Sequence, residues 1–341
     1  MTDQIQLLAP VDLGVVPTHL KFVGGLVPDE NGRIPRNTAG ALLVVANLSE
    51  IIEQSSVRPT CVQIPYFPGL NEADVNEMVE GFRSLDLEVH FILMVGGADP
   101  MNPDDESKVV EMLVDGLTAA KTHGVRDVSS TSVEEWMQAG ATRKEGADFE
   151  AAIAQNVRVH TAAVQQAELE GSSVEAWHIE FLRGGEFQTF TDIGRIWQFV
   201  KAANESLGRP FFKVMVDAAH CGDSSLTITE NESLIDEIAA ADSLGIFHAS
   251  SKTTRGCLST DDGWIGALLT ACARTGKLKT VFVEVFHHED DALAGLRSLD
   301  SGHGIDTRDG RSYDEVVVDG LVDTGRRLNN LVTRGILHSA K

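Results

Sequence analysis

Short apolar segments alternate with longer amphipathic segments along most of the chain, and this order restricts the possible folds more than any other feature. Amphipathic segments such as NTAGALLVVANLSEIIEQ and LIDEIAAADSLG carry apolar residues at helical spacing, and NEAD and DDES provide acidic and capping residues at helix starts. Apolar strands separated by helices predict a parallel sheet that is covered on both faces. The predicted strands begin at His19, Thr60, Glu88, Val125, Ala176, Phe211, Gly245 and Thr280.

The number of predicted strands indicates that this sheet closes into a barrel. Eight parallel strands, each followed by a helix, are what a (β/α)8 barrel requires, and such a barrel takes roughly 250 residues. The chain has 341 residues. We therefore expect one domain over residues 1–341, with a TIM barrel over about 15–300 and a C-terminal helical extension over about 301–341. An open doubly wound sheet is the alternative, but no glycine-rich phosphate-binding turn follows the first predicted strand.

The charge of the chain excludes some partners. Its 28 basic and 51 acidic residues give a formal net charge of −23, which repels nucleic acid and acidic membranes. No apolar run is long enough for a membrane helix, and the first residues lack the pattern of a signal peptide. The four cysteines form no C-x-x-C pair. These features predict a cytoplasmic protein with reduced thiols.

Ligand-type residues stand where the last four predicted strands end. In a (β/α)8 barrel the C-terminal ends of the strands surround the active site, so these four side chains are expected to converge. Three carboxylates and one imidazole suit a hard or borderline divalent ion, Mn²⁺, Mg²⁺ or Co²⁺. The four predicted metal ligands are Glu180, Asp217, His248 and Glu284.

Further polar residues follow these strand ends. Glu186, His220 and Arg255 lie on the loops beyond the predicted ligands and offer a carboxylate, an imidazole and a guanidinium suited to sugar hydroxyls. His178 stands two residues before Glu180, so in a strand the two side chains point to the same face. We expect His178 either to act as an acid or base or to orient Glu180.

The motifs Glu-x5-Glu, Asp-x-x-His, His…Arg-Gly and a final Glu, in this order on strands five to eight, resemble those of the xylose isomerase-like TIM barrels. The ketose 3-epimerases are the closest well-known branch, and the segment RGCLSTDDGWIGALL is also similar to theirs. The resemblance implies that Glu180, Asp217, His248 and Glu284 hold one Mn²⁺-type ion. It also implies that Glu186, His220 and Arg255 contact the substrate.

Some features depart from the epimerase branch and resemble another branch, the C-glycoside deglycosidases. A histidine at position 178 beside the first metal carboxylate is one such feature, and the length of the chain is another. This resemblance implies a lyase that cleaves the C–C glycosidic bond of a 3-oxo-C-glycoside. The reaction would begin by proton abstraction next to a metal-bound carbonyl, with His178, Glu180 and Glu284 as catalytic residues. It also implies an oligomer with a small β-rich partner subunit.

Other functions remain as alternatives to that expectation. A ketose 3-epimerase or related sugar isomerase needs the same metal ligands but no additional histidine. A non-catalytic sugar-binding barrel would be supported by the loss of a ligand, and none of the four is missing. An abasic-site endonuclease of related fold would require basic loops facing DNA, which the net charge of −23 disfavours.

Overall fold

In a computed structural model of the chain, the described residues are 4–17, 26–251, 263–285, 294–299 and 311–339. Within these ranges eight parallel strands follow one another around a closed barrel, and the last strand pairs with the first. The predicted (β/α)8 TIM barrel is therefore confirmed. The strands are β1 (Asp12–Val16), β2 (Cys61–Tyr66), β3 (Glu88–Leu93), β4 (Asp127–Ser130), β5 (Ala176–Ile179), β6 (Phe212–Asp217), β7 (Leu244–Ala249) and β8 (Thr280–Glu284).

Helices follow the strands and cover the outside of the barrel. The long helix Tyr313–Thr333 packs against the helix Leu43–Gln54, β1 and β8, and the Tyr313 hydroxyl donates a hydrogen bond to the Val285 carbonyl at 2.9 Å. A short 3₁₀ helix at Pro103–Asp105 precedes the helix Glu106–Thr122. The helices are α1 (Leu43–Gln54), α2 (Glu72–Ser84), α3 (Glu106–Thr122), α4 (Gly146–Gln166), α5 (Ile193–Leu207), α6 (Ala218–Asp223), α7 (Ile228–Ala240), α8 (Trp264–Arg274), α9 (Ala294–Leu299) and α10 (Tyr313–Thr333).

The first strand differs from the prediction, whereas the other seven predicted strands overlap β2 to β8. β1 is Asp12–Val16, and the segment predicted from His19 lies outside the described residues. The sequence DLGVV is short and contains an acid and a glycine, so its strand pattern is weak. Gly14 is nevertheless required there, because a Cβ atom would lie 2.4 Å from the Cys61 carbonyl oxygen on β2.

The core has two parts that differ in polarity. The larger part lies between the sheet and the helices and is apolar. Inside the barrel the apolar cluster is small, and it consists of Val16, Cys61, Met215, Ile246 and Phe282. Buried polar side chains on neighbouring strands, including Gln63, His90, Ser129 and His178, accompany these residues. The interior of the barrel therefore contains polar groups as well as packing residues.

Candidate functional site

Four buried ligand-type side chains converge at the C-terminal end of the barrel. Asp217 and Glu284 are the last residues of β6 and β8, Glu180 follows β5 directly, and His248 is near the end of β7. One ligand atom of each residue lies within 4.8 Å of the corresponding atoms of the other three. The structure therefore brings together all four residues that the sequence predicts as metal ligands.

A hydrogen bond orients the imidazole of His248 within this group. Its Nε2 lies 2.7 Å from the side-chain oxygen of Gln63 on β2, and the Gln63 amide donates to the Ser129 hydroxyl at 2.8 Å. The Gln63 oxygen is an acceptor, so Nε2 of His248 carries a proton. The other ring nitrogen, Nδ1, then faces the carboxylates, at 3.3 Å from Glu284 and 3.7 Å from both Glu180 and Asp217.

The electrostatics of this group favour a cation at its centre. Burial lowers the pKa of His248, but the charges of Glu284, Glu180 and Asp217 and the hydrogen bond to Glu284 outweigh burial and raise it to about 9. Three carboxylates around one buried imidazole therefore attract positive charge strongly. The donor set of three carboxylates and one imidazole fits a divalent ion of the hard or borderline class.

His220 lies against the same group. Asp217 ends β6 and accepts a hydrogen bond from the His220 backbone N–H at 2.7 Å, which starts the short helix α6. This cap brings the His220 side chain back over the strand ends, where its Nε2 lies 3.4 Å from a carboxylate oxygen of Glu180. The spacing Asp-x-x-His thus places one side chain in the group and the other beside it.

Glu186 lies on the loop between β5 and α5. Its carboxylate accepts a hydrogen bond from the indole N–H of Trp136 at 3.2 Å, and Trp136 is 48% exposed. The same loop is held by Glu134, whose buried carboxylate accepts hydrogen bonds from the backbone N–H groups of Gln188, Thr189 and Phe190. Two residues of the loop after β4 therefore position the loop that carries Glu186.

Sequence reasoning missed three residues of this region: Gln63, Glu134 and Trp136. A polar residue inside the buried strand segment CVQIPY could have indicated Gln63. No local pattern indicates Glu134 or Trp136, because their partners lie on a different loop. Arg255, the remaining predicted substrate-binding residue, lies outside the described residues.

His178 does not join the group, which corrects the expectation that it lies beside Glu180. Its Nε2 is 2.8 Å from a carboxylate oxygen of Asp127, the first residue of β4, and its Nδ1 accepts a hydrogen bond from the Ile246 backbone N–H at 3.2 Å. It lines a cleft at the N-terminal end of the barrel. Gly245 permits this position, because a Cβ atom there would lie 2.5 Å from Nδ1 of His178.

Comparisons with known proteins identify the fold. No profile of a known protein family matches the sequence, and no curated protein matches it.

Among the residues the structure describes, no helix is long and apolar enough to cross a bilayer.

Solved structures of two ketose epimerases and of one endonuclease are similar to this chain. An L-ribulose 3-epimerase is 15% identical with a TM-score of 0.70, covering 97% of this chain and 99% of its own. A D-allulose 3-epimerase from Methylomonas sp. is 15% identical with a TM-score of 0.68, covering 95% and 100%. An AP endonuclease of family 2 from Brucella melitensis is 13% identical with a TM-score of 0.57, covering 80% and 92%. At these identities the chain is similar to sugar epimerases and to an endonuclease in one respect, the (β/α)8 barrel fold.

Proposed function

We propose that this chain is a divalent-metal-dependent epimerase or isomerase that acts on ketoses. The observation that carries the proposal is the convergence of four buried ligand-type side chains at the C-terminal end of the barrel. The ion would be held by Glu180, Asp217, His248 and Glu284, with Mn²⁺ preferred over Co²⁺ and Mg²⁺. Barrels of this class carry their active sites at this end.

The charge of the chain and the similar solved structures support a substrate class. Two of those structures are described as ketose 3-epimerases, which supports a free sugar as the substrate. A net charge of −23 and an acidic site disfavour DNA, so the likeness to an endonuclease carries less weight. We assign the contacts with sugar hydroxyls to Glu186, His220 and Arg255, which offer donors and acceptors suited to them.

A divalent ion held by Glu180, Asp217, His248 and Glu284 would polarise a carbonyl and its neighbouring hydroxyl and so make the C–H bond beside the carbonyl more acidic. Glu180 follows β5 and Glu284 ends β8, and these two strands are not neighbours in the barrel, so the carboxylates approach the centre from different sides. One carboxylate would remove the proton from carbon, and the other would deliver a proton to the opposite face of that carbon. His220, at 3.4 Å from Glu180, would hold a sugar hydroxyl or the carboxylate in place.

Cleavage of a C-glycoside is the second candidate and has less support. The deglycosidase resemblance depends in part on a histidine beside Glu180, and the hydrogen-bond partners of His178 are Asp127 and Ile246 instead. We therefore assign no acid–base role to His178, and we make a β-rich partner subunit no part of the proposal. Epimerisation needs only carboxylates next to the ion.

The test is an assay of the metal-loaded protein with free ketoses in D₂O. We expect deuterium to enter at the carbon next to the carbonyl and an epimer or isomer to form, with about one equivalent of Mn²⁺ required at this centre. Asp217→Asn should abolish exchange and the binding of Mn²⁺ at this centre together. The exposed surface carboxylate Asp236, which pairs with Arg274, provides the control variant Asp236→Asn, which should behave as the unchanged protein.

Two outcomes would contradict the proposal. Full activity of the protein after removal of all divalent ions would exclude the metal mechanism. Release of the aglycone from a 3-oxo-C-glycoside, without proton exchange in any ketose, would favour the deglycosidase instead.

A further inference from the structure

A second group of ligand-type side chains lies at the other end of the barrel. Glu88 and Asp127 are the first residues of β3 and β4, and His90 is two residues after Glu88. One ligand atom of each of the three residues lies within 4.8 Å of those of the other two. All strands are parallel, so their first residues share one end of the barrel. This group is therefore separate from the residues that end β5 to β8.

His90 provides an independent indication that something binds here. The side chain is only 3% exposed, and its Nδ1 is buried without a hydrogen-bond partner among the described residues. Such a nitrogen is costly in a folded protein unless a ligand or water satisfies it. Burial lowers the pKa of His90 to about 4, so the imidazole is neutral and keeps a lone pair at neutral pH.

Asp127 is held in place as an ionised carboxylate. The Nδ1 of His178 accepts a hydrogen bond from the Ile246 backbone N–H, so Nε2 carries a proton and donates it to Asp127 at 2.8 Å. Burial raises the pKa of Asp127, but the hydrogen bond from His178 together with the positive charge of Arg126 and of the nearby histidines outweighs burial and lowers the pKa to about 2. Both ring nitrogens of His178 are occupied, so this residue positions Asp127 and is not itself a ligand.

We propose that Glu88, His90 and Asp127 form a second divalent-cation site, at the N-terminal end of the barrel, for a first-row metal ion such as Zn²⁺. Two carboxylates and one neutral imidazole suit ions of this class, which bind such donors at about 2.0–2.2 Å. The cleft that the three residues line has a volume of about 250 Å³, which leaves space for water ligands. Small rotations of the exposed Glu88 side chain would bring its carboxylate to the distance at which it can bind the ion.

The neighbouring guanidinium of Arg126 is directed mainly to a carboxylate outside this group. The guanidinium of Arg126 lines the same cleft, but it forms its close contact with Glu175, at 2.8 Å, and lies 3.9 Å from Glu88. The charge of Arg126 is therefore largely balanced by a carboxylate outside the group. His90 and Asp127 lie next to each other because Phe91 on β3 pairs with Val128 on β4.

The experiment separates this site from the centre at the other end of the barrel. The full chain carrying both Asp217→Asn and Glu284→Gln is freed of metal and titrated with Zn²⁺ against a chromophoric chelator. We expect one equivalent to bind to this background, and we expect His90→Gln or Asp127→Asn to weaken it by about 100-fold or more. The unchanged chain should bind two equivalents.

The matched control is Asp12→Asn. Asp12 is a carboxylate of the same cleft outside the group, and an asparagine there can still accept the hydrogen bond that the Thr60 hydroxyl donates at 2.9 Å. This variant should retain Zn²⁺ affinity within about 3-fold, since it removes no ligand.

The absence of Zn²⁺ binding in the background chain would overturn the proposal. Equal losses of Zn²⁺ affinity in Asp12→Asn and Asp127→Asn would also overturn it. If Asp127→Asn fails to fold, His90→Gln decides, because His90 Nδ1 has no hydrogen bond to lose. Failure of the ketose assay would not affect this outcome, because the background chain lacks the other centre.

Discussion

At the scale of single residues, Gln63 determines which nitrogen of His248 is available. Its side-chain oxygen accepts a hydrogen bond from Nε2 of His248, and its amide donates one to the Ser129 hydroxyl. These two hydrogen bonds fix the orientation of the Gln63 side chain inside the barrel. Partners of this kind set the tautomer and the orientation of a metal-binding histidine. Gln63 is therefore a positioning residue for the candidate metal centre.

This role predicts different effects for two substitutions of Gln63. Gln63→Leu removes the acceptor, leaves the buried His248 N–H without a partner, and should weaken Mn²⁺ binding by on the order of 10–100-fold. Gln63→Glu retains an oxygen at the same position and should bind Mn²⁺ much more tightly than Gln63→Leu. Competition titrations with a chelator measure both affinities, and equal affinities in the two variants would show that the hydrogen bond does not position His248.

At the scale of elements, the loops after β4 and β5 act as one unit. Glu134 accepts three backbone hydrogen bonds from the loop after β5, and Trp136 donates to Glu186 on that loop. A buried carboxylate that satisfies several backbone N–H groups can replace the hydrogen bonds that a regular element would supply. The geometry of the proposed sugar contact at Glu186 therefore depends on residues of a different loop.

Glu134→Ala tests this coupling. The N–H groups of Gln188, Thr189 and Phe190 would lose their acceptor, so their hydrogen exchange should become faster and the free energy of unfolding should fall by on the order of 2 kcal/mol. The KM for a ketose should rise. The neighbouring Glu135 is partly exposed, and the three N–H groups donate to Glu134, so Glu135→Ala provides the control. Unchanged exchange at the three amides would contradict the coupling.

At the scale of the whole molecule, a buried histidine links folding to pH. His160 on α4 is fully buried among the rings of Trp177, Phe199 and Phe212, and burial lowers its pKa to about 4. The unfolded chain binds a proton at this residue near pH 6.5, whereas the folded chain does so only near pH 4. The contribution of the buried, neutral His160 to the free energy of unfolding is therefore fully present above about pH 6.5 and is lost as the pH falls toward 4.

We expect this loss to amount to on the order of 3 kcal/mol between these pH values. Urea unfolding at a series of pH values from 7.5 to about 4.5 measures it. His160→Gln should be less stable at pH 7.5 but should lose less stability on acidification than the unchanged chain. The exposed His338 gives the control His338→Gln, which should keep the original slope. Equal slopes for His160→Gln and the unchanged chain would refute the assignment.

Much of the fold follows from local pattern. Hydrophobic periodicity and the spacing of elements predict the barrel and seven of its eight strands, because each strand segment is apolar over its own length. β1 escapes prediction because it is short and includes Asp12 and Gly14, and its strand conformation depends on pairing with β2 and β8. Tertiary pairing outweighs weak local preference in such a strand.

The sequence by itself determined that Glu180, Asp217, His248 and Glu284 meet, because residues that end parallel strands share one end of a barrel. Only the tertiary structure decided the position of His178. Residues i and i+2 point to the same face of a strand but lie about 6.6 Å apart along it. Inside a closed barrel that distance separates two layers, so Glu180 reaches the candidate metal centre while His178 contacts Asp127 at the other end. The pairing of Gln63 with His248, 185 residues apart, likewise depends on closure of the barrel.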